Sequence, residues 1–103
     1  MTATLLDSAH PILAGITLPV PPILGLNKLH FRGDESSTLL ATCPYRCKDW
    51  PLLAVRTYGA GRTAIWSTDI GPDWLSLDFL GWHHYGTLMA ILVNWIGHKD
   101  ITL

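Results

Sequence analysis

Tyr58-Gly59-Ala60-Gly61-Arg62-Thr63-Ala64-Ile65-Trp66-Ser67-Thr68-Asp69-Ile70-Gly71-Pro72-Asp73-Trp74 is the stretch that decides how this chain is read. Leu52 to Tyr58 and Arg62 to Thr68 are apolar, β-prone runs flanking Gly59-Ala60-Gly61. Glycine supplies the positive φ that a tight hairpin loop requires. A three-residue loop pairs Tyr58 with Arg62, Val55 with Ile65, and Ala54 with Trp66. That register puts Leu53, Val55 and Ile65 on one face, and Ala54, Ala64 and Trp66 on the other. Both faces are apolar enough to predict a sheet covered on both sides. Past the second strand, Asp69 to Trp74 is an acidic glycine–proline loop, the natural home for polar groups of a site.

Downstream, Trp82, Tyr85, Met89, Leu92 and Ile96 keep the three-four spacing of a helical stripe, which predicts one long helix from Phe79 to Ile96. Ser76 or Asp78 suits its N-cap and Gly97 its stop. Upstream, Lys28 to Arg32 and Thr38 to Thr42 alternate as short strands, and Cys43 to Pro51 reads as a proline-flanked loop. Residues 1–27 contain Pro11, Pro19, Pro21 and Pro22, which exclude a helix or a central strand. The apolar residues between them predict an extended segment lying on a core.

The chain has 103 residues, enough for a single domain. Hydrophobic residues make up 49% and charged residues 15%, well under the usual share of about 25%. So little polar cover predicts apolar surface hidden by another copy of the chain or by a missing partner segment. With a net charge of −1 and scattered Arg32, Arg46, Arg56 and Arg62, nothing points to nucleic acid or to an anionic membrane. No segment reads as a secretion signal or a bilayer span, so a reducing cytoplasm is the expected compartment. Cys43 and Cys47 are too few for a disulfide framework and read as ordinary reduced thiols.

Six elements then occur in order: His10-Pro11-Ile12-Leu13-Ala14-Gly15-Ile16, Gly25-Leu26-Asn27, Pro51-Leu52-Leu53-Ala54, Tyr58-Gly59-Ala60-Gly61-Arg62, Ser67 to Trp74, and Trp82-His83-His84-Tyr85. Together they resemble the glutamine amidotransferase-like domain family of bacterial cytoplasmic proteins, related to class I glutamine amidotransferases and to the trehalose-utilisation group. The resemblance implies an α/β, flavodoxin-like fold. In that fold this chain supplies a C-terminal fragment: a small sheet with a β-hairpin and one long C-terminal helix. It also implies that an N-terminal α/β portion is missing. Class I enzymes place a nucleophilic Cys on a glycine-flanked strand-to-helix elbow. Neither Cys43, followed by Pro44, nor Cys47, between Arg46 and Lys48, has that context.

Candidate site residues follow from position. Ligands gather beyond the carboxyl ends of strands in open α/β sheets, which nominates Asp69, Asp73 and His83 as acid or ligand groups. The plainer reading makes Asp69 an acceptor for loop N–H groups. Trp74 and Trp82 can wall a pocket, with Arg62 nearby. His83 and His84 diverge by about 100° if helical, so a shared metal is not expected, nor is a cofactor. The function expected is an amidotransferase-like domain without chemistry of its own. The alternative is a structural module that oligomerises through exposed sheet surface.

Overall fold

A computed structural model describes residues 1–71 and 73–97. It is a small α/β structure. Strands β1 (Thr4–Leu5), β2 (Ser37–Tyr45), β3 (Lys48–Tyr58) and β4 (Gly61–Trp66) form one sheet in chain order, and every neighbouring pair is antiparallel. Helices α1 (Leu77–Leu80) and α2 (Tyr85–Ile96) follow.

The β3–β4 hairpin forms where the glycines predict it, but one residue out of register. Tyr58 faces Gly61, Val55 faces Ala64, Ala54 faces Ile65, and Leu53 faces Trp66. Of the two glycines only Gly59 takes a positive φ, 59°, so the loop is Gly59-Ala60 and Gly61 already belongs to β4. A one-residue slip exchanges the two faces of a strand. Trp66 and Ala64 therefore sit with buried Leu53 and Val55, and Ile65 turns outward at 57% exposure. The outer face is not fully covered.

Cys43 to Pro51 is not a loop. β2 and β3 run through it and turn at Arg46-Cys47, whose φ values of 52° and 63° make a left-handed pair without glycine. Pro51 is tolerated because β4 pairs only with Leu53 to Tyr58, and because the β2 register shifts between Ala41 and Thr42 beside it. Lys28 to Arg32 forms no strand; Leu29 to Arg32 lie beside Ala54 and Ile65 of the sheet.

The predicted long helix is two. α1 is capped by Ser76, whose hydroxyl accepts from Phe79 N at 3.1 Å, and it stops at Gly81. Trp82 N donates to Phe79 O and Tyr85 N to Trp82 O, so turns carry the chain into α2. These turns keep the apolar spacing that reads as continuous helix in the sequence.

Phe79 is the centre of the core, fully buried, with Trp66, Trp82 and Tyr85 rings at 5.5–6.2 Å in tilted or edge-on contact. The irregular N-terminal segment does lie on this core: Ile12, Leu13, Val20 and Ile23 are buried. No helix among the described residues is long and apolar enough to cross a membrane.

Candidate functional site

The loop after β4 is stitched to the segment Pro22 to Asn27 at both of its ends. Asn27 N donates to Ser67 O at 2.7 Å, and Thr68 Oγ1 donates to Gly25 O at 2.5 Å. Leu24 N donates to Trp74 O at 2.6 Å, Ile23 bridges Leu75, and the Ser76 hydroxyl donates to Pro22 O at 2.6 Å. Gly25 lets the two segments approach closely: a Cβ there would stand 3.0 Å from Trp74 Cδ1, and the indole would have to give way by a few tenths of an ångström. From inside the fold, Trp66 Nε1 donates to Asp69 O at 2.9 Å and the Tyr85 hydroxyl to Ile70 O at 2.6 Å.

This frame leaves an open depression of about 440 Å³ lined by Asn27, Thr68, Asp69, Asp73 and Trp74. The structure thus brings Asp69, Asp73 and Trp74 together. Asn27 and Thr68 join them, which sequence reading missed as site residues, although Asn27 closes the quoted Gly25-Leu26-Asn27 element. The Asp69 carboxylate accepts from Ile70 N at 2.7 Å, an arrangement that shapes its own loop. Pro72, part of the predicted loop, lies outside the described residues.

The other candidates lie elsewhere. His83 is exposed, and its ring lies 3.9 Å from that of His84. His84 Nε2 accepts from Thr17 N at 3.2 Å and lies 2.8 Å from Thr17 Oγ1. Desolvation and then the His83 charge hold His84 below the ordinary histidine value, which suits this acceptor role. Trp82 lines a small apolar cavity in the core. Arg62 packs over the Trp95 ring at 4.7 Å and donates to Trp95 O at 2.9 Å, capping the last carbonyls of α2. Arg62 and Trp82 are absent from the lining of the acidic depression.

Neither thiol stands at an elbow. Cys43 lies within β2, fully buried, and burial pushes its thiol up, away from the reactive thiolate. Cys47 is exposed on the β2–β3 turn. Among the described residues no group of three or more His, Cys, Asp or Glu side chains is placed to hold a metal ion.

Residues 1–98 match the family described as "Putative glutamine amidotransferase", and the chain belongs to that family. Two solved structures resemble it. One is the cytoplasmic protein STM1381 from Salmonella typhimurium LT2, 32% identical with a TM-score of 0.75 over 96% of this chain and 37% of that one. The other is the cytoplasmic protein STM3548 from Salmonella typhimurium, 25% identical with a TM-score of 0.78 over 92% of this chain and 36% of that one. This chain spans little more than a third of the length of either. No curated protein matches it.

Proposed function

We propose that this chain is a cytoplasmic glutamine amidotransferase-like module that does not hydrolyse glutamine by itself and forms the C-terminal part of a larger flavodoxin-like domain. The placement of the two thiols carries this reading. A nucleophilic Cys needs access, a lowered pKa and a general base within hydrogen-bond reach. Cys43 is sealed inside a strand, and Cys47 rides a hairpin turn between Arg46 and Lys48. The acidic depression offers carboxylates with neither thiol in its lining.

The larger domain is inferred from length and from the sheet. Nearly two-thirds of each related structure lies outside the match. β4 ends the sheet with no strand beyond it among the described residues. In an antiparallel ladder alternate residues point their N–H and C=O groups away from the partner. Tyr58–Gly61 closes the hairpin and Ser67 N bonds Leu52 O, which leaves Arg62 and Ala64 pointing outward. An N-terminal segment adding a strand there completes those groups. Ammonia release from glutamine tests the catalytic half of the reading. Wild type, Cys43→Ala and Cys47→Ala should all stay at background, and turnover abolished by either substitution would refute it.

A second reading, self-association, is favoured by the same free edge beside 57%-exposed Ile65. Light scattering should then give twice the 11.4 kDa chain mass, reverting to one on Ile65→Lys. A monomer at high concentration would exclude it.

A further inference from the structure

The sheet face turned from the core carries a groove unrelated to the acidic depression. Its floor follows from the register. Ser37, Arg56 and Thr63 stand opposite one another across β2, β3 and β4, and Ala54 stands beside Ile65 in the next row. The segment His30 to Arg32 forms a wall, with Phe31 half-buried. The small Ala54 side chain between Phe31 and Ile65 leaves a space of about 320 Å³, at the lower end for small-ligand clefts.

The groove's charge is one-signed. Arg32 and Arg56 line it and no carboxylate does, in a chain whose net charge is −1. Arg56 is held in place: its Nε donates to Ser36 Oγ at 3.2 Å, and its guanidinium lies 5.4 Å from the Tyr58 ring. Asp34 reaches Arg56 only at 4.0 Å, from outside the groove. Ser36 N and Ser36 Oγ hold Asp34 Oδ1 at 2.9 and 2.8 Å, which fixes the carboxylate with Oδ2 toward Arg56 at that distance. Among the described residues no carboxylate pairs with Arg32. Guanidinium groups bind carboxylates through paired N–H donors, and the Ser37 and Thr63 hydroxyls add further polar contacts.

We propose that this groove binds a small organic carboxylate with a flat apolar body. The body lies over Ala54 between Phe31 and Ile65, and the carboxylate meets Arg32 and Arg56. The site does not depend on the glutaminase half of the proposed function, and it rests on this part of the face staying open in any larger domain.

Titration of the ¹⁵N-labelled chain with 2-naphthoate, followed by amide chemical shifts, tests it. Saturable shifts are expected at residues 30–32, 37, 54–56 and 63–65, with affinity at least tenfold above that for neutral 2-naphthamide. Arg32→Gln, on an exposed side chain, should weaken binding about tenfold while leaving the rest of the spectrum in place. Ala54→Leu should abolish binding by filling the space. Equal affinity for the amide, shifts centred elsewhere, or unchanged binding in both variants would overturn the proposal.

Discussion

On the covered face of the sheet, Leu53 and Val55 are 1% and 5% exposed, beneath Phe79, the two helices and the N-terminal segment. On the opposite face, Ile65 is 57% exposed, and Arg56 and Thr63 meet solvent. The strands and their β-propensity are shared, so the contrast comes from what the chain lays over each face. A short chain with 49% hydrophobic residues buries consecutive residues Leu40 to Cys43 of β2 and Leu52-Leu53 of β3, covering both faces there, and leaves the outer face open only around Arg56, Thr63 and Ile65, beside the free edge. Stability should therefore be concentrated at the β2–β3 centre and under Phe79, and adaptability at the outer face of β4.

The largest effect that can break this contrast is at Phe79. Phe79→Ala removes a fully buried ring that touches three others, and should cost about 3–5 kcal/mol in urea unfolding. A loss under 1 kcal/mol would mean the covered face is not the core. Arg62→Gln should cost about 1–2 kcal/mol, because it removes a charge-assisted cap on α2 and a cation–π contact. Its melting curve should shift accordingly, where a catalytic arginine would leave stability unchanged. Ser76→Ala should cost about 1 kcal/mol through the lost N-cap, read by the same unfolding assay.

The smallest effect concerns pH. His10 Nδ1 accepts from Ile12 N at 3.2 Å, and the His10 ring lies 5.4 Å from that of Trp95. Burial, helped by the Arg62 charge and opposed by Asp7, lowers the His10 pKa below the ordinary 6.5. The unfolded chain then binds more protons than the native one, so stability is level above pH 6.5 and falls as the pH drops below it. Urea midpoints at pH 7.5 and 5.5 should differ more in wild type than in His10→Asn, whose amide oxygen can still accept from Ile12 N.

Much of this was legible in the residues. Glycine at 59 announced the hairpin, Ser76 announced a cap, and the buried apolar residues among the early prolines announced a segment on the core. The register was not legible, because glycine at both 59 and 61 permits a two- or a three-residue loop and only the packing of Trp66 beside Leu53 decides. The Arg46-Cys47 turn was hidden because non-glycine residues adopt the left-handed conformation there. The helix break was hidden because the turns from Gly81 to His84 preserve helical spacing. Of the site, Asp69, Asp73 and Trp74 do share one depression, whereas His83, Trp82 and Arg62 were grouped with them by nearness along the chain.

The two neighbours Ile65 and Trp66 offer the most direct test, because they point to opposite faces of β4. Urea unfolding of Ile65→Ala and Trp66→Ala should give a loss within about 0.5 kcal/mol for the first and about 3 kcal/mol for the second. Equal losses, or a larger one at Ile65, would contradict the register and the uneven cover of β4 together.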